Sequence, residues 1–229
     1  MRKYLLYAIG EIALVVIGIL LAIQINTWYQ SKINRSEEKE MIRRIYADLK
    51  SDTKYLLNID SIYIKAIPNL ERIFYLIDEQ NDIDDVNEIL DKYSAQLFEL
   101  QPSKITFEEM KNTGRIYSLS DLYLKDALIN YYTKFEEHQI ETRKDRSDVS
   151  AFYFAHDNYA FWTLLQKKRK KQAISPELIE WMNNPNSIEW KNYEISIGYF
   201  QSTLKKHRHL IEELINLNQS LRSLIENEM

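Results

Sequence analysis

Histidines and carboxylates are the side chains that would hold a metal or transfer protons in this chain, which has no cysteine nucleophile or thiolate ligand. They show no catalytic or metal-site arrangement: there is no His-Glu-x-x-His pattern, no Glu-x-x-His pair, no glycine-rich phosphate loop and no Gly-x-Ser-x-Gly turn. His207 and His209 are two apart on a predicted helix, so they point in different directions and make a poor chelate. We therefore predict no catalytic residue, no metal and no cofactor, and a protein that is not an enzyme.

An acidic residue inside an apolar run is the most unusual feature of the sequence. Between Tyr4 and Ile25 only Glu11 and Gln24 are strongly polar. As a helix this run is about 33 Å long, enough to cross a hydrocarbon core of about 30 Å. Aromatic residues of the kind found at membrane interfaces flank it at both ends: Tyr4, Tyr7, Trp28 and Tyr29.

The length of the run also separates an anchor from a cleaved signal peptide. The apolar region of a signal peptide has about 7–15 residues and ends in small residues at the cleavage site. The present run is longer, and the segment AIQINTWYQ offers no such site. We therefore expect an uncleaved transmembrane anchor with a short N-terminal tail over residues 1–30 and a helical bundle domain over residues 31–229.

Glu11 shares one face of the predicted span with small residues. At about 100° per residue, Glu11, Val15, Gly18 and Ala22 form one stripe, and bulky residues cover much of the remaining surface. Small residues let two helices approach closely, and polar groups in a span usually face a partner. We expect Glu11, Gly18 and Ala22 to form a helix–helix contact in the membrane. Two alternatives are that Glu11 reaches toward the nearby headgroups, or that it relays protons with polar groups of a partner subunit.

Basic residues flank the span on both sides. Arg2 and Lys3 precede it, and a second group follows it: Lys32, Arg35, Lys39, Arg43 and Arg44. The positive-inside rule counts the second side as cytoplasmic, whereas a short tail before an uncleaved span commonly stays inside. We favour a single-pass protein of the bacterial inner (cytoplasmic) membrane with its C-terminal domain on the periplasmic side. In a cytoplasmic domain, the basic run at residues 167–171 could contact anionic lipid; a solvated helix end is the alternative.

Two stretches are more specific than a generic span. KYLLYAIGEIALVVIGILLAIQINTW follows the approximate pattern Y-A-I-G-E-I-x-L-V-V-I-G-I-L-I-A-x-Q-I-N-x-W over residues 7–28, except at Leu21. A second stretch, TFEEMKNTGRIYSLSDLYLKDALINYY, covers residues 106–132. In both, the chain resembles a family of uncharacterised single-span membrane proteins from Bacteroidetes, a domain of unknown function. The resemblance implies a membrane location and this architecture. It implies no known activity and no catalytic residues.

Hydrophobic periodicity predicts an all-α domain after the span. Four glycines and four prolines are too few for a turn-rich β-sandwich. Apolar residues recur every three or four positions in two long segments: Ile42, Ile45, Leu49, Leu56 and Ile59 in the first, and Tyr193, Ile197, Phe200, Leu204, Ile211, Leu214, Leu221 and Ile225 in the second. We expect one N-terminal transmembrane helix that continues into an elongated bundle of roughly five to seven helices.

Local signals predict where some helices begin and end. Pro68 suits the first turn of a helix, so we expect a new helix there after the first ends near Asp60. Gly114 predicts a turn with positive φ or a helix C-cap. Ser120 precedes an acid-rich start and predicts the N-cap of a long helix.

Three polar residues interrupt the predicted apolar faces: Asp52, His207 and Asn218. Such residues can fix the register or the association state of packed helices. We expect them to form a buried polar seam, and we hypothesise that His207 pairs with Asp52 as a pH-sensitive contact. Core polar residues that are merely satisfied by hydrogen bonds are the alternative.

The segment AFYFAHDNYAFW is the most aromatic in the chain. Its rings cannot all face one core if they surround a helix. One interpretation is a thick core between long helices, with tyrosine hydroxyls at its rim. The other is a pocket or interaction surface formed by Phe152, Tyr153, His156, Tyr159 and Trp162.

These features predict a noncatalytic, membrane-anchored interaction or scaffold protein. It would sit in the lipid bilayer and assemble laterally through its span, as a homo-oligomer or with a membrane-complex partner. The net charge of −4 and the lack of a basic excess argue against a nucleic-acid partner. The alternative is a sensor-like, ligand-binding helical module that uses the aromatic segment as its pocket and signals through a partner.

Overall fold

The computed structural model describes residues 2–77, 82–93, 96–155 and 159–228. Within these ranges the chain has no strand, which confirms the all-α prediction. The α-helices there are α1 (Arg2–Ile77), α2 (Ile83–Lys92), α3 (Ile105–Asn112), α4 (Leu122–Ala155), α5 (Tyr159–Arg169) and α6 (Ile188–Glu228). Short 3-10 helices lie between them at Arg115–Ser118, Pro176–Leu178 and Glu180–Asn183.

Helix α1 joins the predicted span to the first helix of the bundle. Its N-terminal part contains one segment long and apolar enough to cross a membrane, and every described side chain between residues 10 and 32 is exposed. From Met41 onward one stripe of the same helix is buried, at spacings of three and four: Met41, Ile42, Ile45, Leu49, Asp52, Leu56, Ile59, Tyr63, Ala66, Leu70 and Ile73. The helix therefore changes from an exposed apolar rod to a bundle helix with one buried face.

The prediction that a new helix starts at Pro68 is wrong, because α1 continues through this residue to Ile77. A proline inside a helix removes one backbone hydrogen bond and costs about 3 kcal/mol relative to alanine. Tyr63, Ala66 and Leu70 are buried on one face around it, and their packing outweighs the cost. Pro68 itself is exposed.

Helix α6 packs antiparallel to α1 along most of the bundle. Near the C-terminus of α6, Glu226 accepts a hydrogen bond from the hydroxyl of Tyr46 of α1. In the N-terminal half of α6, Lys205 pairs at 3.0 Å with Glu71, which lies near the C-terminus of α1. All positions of the predicted apolar face of α6, including the two polar residues that interrupt it, are buried: Tyr193, Ile197, Phe200, Leu204, His207, Ile211, Leu214, Asn218, Leu221 and Ile225. The repeat of about 3.6 residues per turn therefore identified this buried face from sequence alone.

Helix α4 begins at the end of the bundle nearest the predicted span. Gly114, at φ +74°, ends α3 in the left-handed conformation, which confirms the predicted turn. Ser120 is not the cap of α4, contrary to the prediction, because its N–H and hydroxyl both donate to Glu38, at 2.9 and 2.6 Å. Asp121 caps the helix instead, accepting from the N–H groups of Tyr123 and Leu124 at 2.7 and 3.2 Å.

Candidate functional site

Two of the three predicted seam residues lie in one buried hydrogen-bonded cluster. The hydroxyl of Tyr131 donates to Asp52 Oδ2 at 2.9 Å and accepts from Asn218 Nδ2 at 3.0 Å. The other Asp52 oxygen accepts from the N–H of Ser103 at 2.7 Å. Asp52, Tyr131 and Asn218 are all at most 1% exposed, so this cluster joins α1, α4 and α6 out of contact with water.

Burial controls the ionisation of this cluster. It raises the pKa of Asp52 to about 6, although the hydrogen bonds from Ser103 and Tyr131 act to lower it. Burial, followed by the negative charge of Asp52, also raises the pKa of Tyr131. Both polar atoms of the Asn218 side chain have hydrogen-bond partners. Nδ2 also donates to the carbonyl of Leu49 at 3.0 Å, and Oδ1 accepts from the hydroxyl of Thr53 at 2.7 Å.

The hypothesis that His207 pairs with Asp52 is wrong. His207 Nε2 lies 3.0 Å from Asp145 Oδ2, and Lys206 Nζ lies 2.8 Å from the same oxygen. The physical reason is helical register: Asn218 is level with Asp52, and His207 lies about 16 Å further along α6.

Burial also affects the pKa values of His207 and Asp145. Burial lowers the pKa of His207, against the opposing effect of Asp145. Burial alone would raise the pKa of Asp145, but its hydrogen bonds with Lys206 and His207 outweigh that and lower it.

The proposed membrane contact face lies on the exposed part of α1. Glu11, Gly18 and Ala22 are all exposed. A Cβ added to Gly18 would meet no atom within 4 Å. Glu11 has no hydrogen-bond or ion-pair partner anywhere in the described chain. No part of the described chain therefore covers this face.

A groove of about 720 Å³ opens on the side of the bundle near α4 and α5. Six aromatic residues line it, from α1, the segment after α2, α5 and α6: Tyr55, Tyr93, Phe98, Tyr159, Trp162 and Phe200. Helix α4 contributes Arg146, Val149 and Ser150, and Arg169 lies at the end of α5. The size and the mixed apolar and polar lining are those of a small-molecule site.

The aromatic segment contributes to both the core and this groove. Tyr159 and Trp162 line the groove, whereas Phe161 is buried against Tyr193, with ring centroids 4.5 Å apart. The ring of Phe152 packs against Tyr199 at 5.1 Å and is not part of the groove lining. His156 and the side chain of Tyr153 lie outside the described residues.

Sequence reasoning missed three residues that matter for these sites: Tyr131, Arg146 and Arg169. Tyr131 carried a signal in the sequence, because Leu124, Leu128, Tyr131 and Phe135 recur every three or four positions. Arg146 and Arg169 stand in charged segments that look like ordinary solvated helix surface, so the sequence held no signal for them. Within the described ranges, no group of three or more His, Asp or Glu side chains could hold a metal ion.

Comparison with known proteins identifies a family but no activity. No curated protein and no solved structure is significantly similar to the chain. Residues 11–174 match the model of DUF6090, described as a family of unknown function. That match covers more than half of the chain and includes most of the apolar segment, the Asp52–Tyr131 contact and most of the groove. The chain therefore belongs to DUF6090, a family of unknown function.

Proposed function

We propose that this protein is a noncatalytic, membrane-anchored interaction protein that assembles laterally through its transmembrane helix. The observation that carries the proposal is the isolation of Glu11: it lies in an apolar segment, it is exposed, and no described residue of its own chain binds it. The partner is either a second copy of this chain or another membrane protein. The helical bundle then contacts further members of the same membrane complex.

The energetics of a polar group in a bilayer favour such a contact. A charged side chain at the centre of a span costs about 2.5–3.5 kcal/mol on insertion scales. Glu11 lies about 10 Å in from Tyr4 along the helix, so its cost is smaller but still favours a hydrogen-bonding partner. Gly18 and Ala22 on the same face let a second helix approach closely enough to supply one.

The test is the oligomeric state of the full-length chain in a mild detergent, measured by light scattering and cross-linking. We expect Glu11→Leu and Gly18→Ile to weaken self-association, or recovery of the membrane partner, by about tenfold, because one interhelical contact is worth about 1–2 kcal/mol. Leu20→Ile is the matched control, since it changes a bulky residue off the contact face. Unchanged association in both test variants would contradict lateral assembly through this face.

We also propose that the span crosses the bacterial inner membrane with the bundle on the periplasmic side. The short basic N-terminal tail supports this side, and the basic residues after the span oppose it. A C-terminal reporter that is active only outside the cytoplasm should therefore be active in cells. Activity of a cytoplasm-specific reporter instead would place the bundle in the cytoplasm.

The groove near α4 and α5 favours a second candidate function, binding of a small molecule by the bundle. Its volume of about 720 Å³ falls within the range of about 300–1,000 Å³ typical of ligand sites. A ligand there would contact α1, α4, α5 and α6 together, so its binding could bias the packing of α1 and reach a membrane partner through the span. A thermal-shift screen of the full-length chain tests this function: stabilisation by a metabolite supports it.

A further inference from the structure

The groove carries two positive charges that the described chain does not neutralise. Arg146 and Arg169 both line it, and neither has an ion-pair partner among the residues that the structure describes. The acid in the same lining, Glu99, is already held by Arg143, whose Nε and Nη2 donate to it at 2.9 and 2.6 Å. The groove therefore presents a net positive charge to whatever enters it.

The rest of the groove is suited to an apolar molecule. Tyr159 and Trp162 stand on one side, and Tyr55 and Phe98 come from other helices and segments. The guanidinium of Arg169 lies 5.8 Å from the ring centre of Trp162, so one cation is positioned beside an aromatic surface. Arginine beside aromatic rings is an arrangement that recognises a carboxylate or phosphate attached to an apolar body.

The position of the groove along α1 decides between a lipid and a soluble molecule. Helix α1 rises about 40 Å between Trp28, at the end of the apolar segment, and Tyr55, at the groove. A lipid headgroup in the membrane that the span crosses does not reach that far, since the headgroup region adds only about 5–8 Å on each side of the hydrocarbon core. The distance therefore favours a ligand that is dissolved in water over a lipid of that membrane.

We propose that the groove binds a small, water-soluble organic anion whose acidic group is engaged by Arg146 and Arg169 and whose apolar body packs on the aromatic lining. This proposal rests on the second candidate function above and names its ligand class. It predicts that affinity depends on the charge of the ligand and on both arginines.

The experiment is a ligand-observed NMR titration of the full-length chain in lipid nanodiscs, with empty nanodiscs as the reference. The probes are 2-naphthoate and its neutral counterpart 2-naphthamide, which differ in charge but share the same ring system. For a ligand of this size we expect a Kd of about 1 mM for 2-naphthoate. We expect 2-naphthamide to bind about tenfold more weakly, because it lacks the charge-assisted hydrogen bonds.

Three variants test whether Arg146 and Arg169 bind the acidic group of the probe. Arg146→Gln and Arg169→Gln should each weaken 2-naphthoate binding about threefold, and the double variant, with a loss of about tenfold, should bind the two probes equally. Lys144→Gln is the control, because it removes the same charge from an exposed residue of α4 that does not line the groove. It should leave both affinities unchanged.

The possible results separate the two proposals. Equal binding of the two probes to the wild-type chain contradicts the proposal that the ligand is an anion, but it does not contradict ligand binding by the groove. A preference for 2-naphthoate that survives in the double variant overturns the assignment to Arg146 and Arg169. Absence of saturable binding by either probe up to about 10 mM overturns both proposals.

Discussion

Asp52 is a buried acid that the N–H of Ser103 and the hydroxyl of Tyr131 hold from two sides. Its pKa is about 6 in the folded protein, against about 3.9 in an unfolded chain. The folded form therefore binds a proton more tightly than the unfolded form, and stability falls as the pH rises from about 4 to about 6. At about 1.4 kcal/mol per pKa unit, this contribution amounts to about 3 kcal/mol.

The Asp52→Asn variant should lose this contribution. We expect its free energy of unfolding, relative to the wild type, to rise by about 3 kcal/mol between pH 4 and pH 7. Chemical denaturation of both proteins at the two pH values measures the difference. Asp126→Asn, at a largely exposed acid of α4, is the control and should show no such rise. A flat difference for Asp52→Asn would mean that Asp52 titrates as it does in the unfolded chain.

Tyr131 and Tyr193 are both buried, but they differ in the hydrogen bonding of their hydroxyl groups. The hydroxyl of Tyr131 bridges Asp52 and Asn218, whereas the hydroxyl of Tyr193 is buried and has no hydrogen-bond partner among the residues that the structure describes. Tyr131→Phe should lower the free energy of unfolding by about 1–3 kcal/mol, because it leaves two buried polar groups short of a partner. Tyr193→Phe removes a hydroxyl that gains nothing, so we expect no loss of stability or a small increase. Equal losses in the two variants would contradict the bridging role, and denaturant titration distinguishes them.

At the scale of the element, α1 retains a defect at Pro68. The imide nitrogen cannot donate to the carbonyl of Ile64, so one backbone hydrogen bond of the helix is missing. Pro68→Ala restores the donor without disturbing a buried contact, since the residue is exposed. We expect the free energy of unfolding to increase by up to about 3 kcal/mol, measured by denaturant or thermal unfolding. Lys65→Ala, at an exposed position of the same helix, should change it by no more than about 0.5 kcal/mol.

At the scale of the whole molecule, α1 sets the distance of every part of the bundle from the span. The helix rises only about 15 Å from Trp28 to Glu38, which Ser120 contacts at the start of α4. Large apolar side chains are exposed at this near end: Tyr117, Leu122 and Tyr123. At about 15 Å beyond Trp28 they lie outside a headgroup region that is about 5–8 Å deep, so this end of the bundle is the one nearest the predicted span without entering the headgroups.

The basic run at residues 167–171 lies at the opposite end. Lys168 pairs with Asp91 at 3.0 Å, and Arg72 contacts Glu88 of the same helix α2 at 3.4 Å. Arg72 is about 65 Å from Trp28 along α1. At that distance the run does not reach a membrane crossed by the predicted span, so the solvated alternative fits it better than lipid contact.

Labelled single-cysteine variants test this arrangement, because the natural chain has no cysteine. A fluorescent donor is attached at Tyr123→Cys, Ile140→Cys or Lys170→Cys, all exposed positions. In nanodiscs with acceptor-labelled headgroups, we expect energy transfer to fall in that order, since residue 140 lies about 26 Å beyond residue 123 along α4. Strong transfer from residue 170 would show that the far end of the bundle meets the membrane.

The sequence by itself determined the elements and their buried faces. A helix that packs on one side must repeat its apolar residues about every 3.6 positions, and this rule identified every buried seam position of α6 and the stripe from Ile42 to Ile59 in α1. Gly114 was equally readable, because only glycine adopts positive φ without strain. The prediction at Pro68 was wrong, because the preference of proline for the first turn of a helix is local, whereas packing over several turns keeps α1 continuous there.

Only the tertiary structure decided which polar residues meet. Sliding two apolar helix faces past each other by whole turns, about three in the case of His207 and Asp52, preserves their periodicity but exchanges every polar partner. His207 therefore could have faced Asp52 on periodicity alone, yet it lies beside Asp145. The same holds for the groove, which Arg146 and Arg169 line together with aromatic residues of α1, α5, α6 and the segment after α2. Contacts between residues far apart in the chain depend on register and packing, and neither is written in the local pattern.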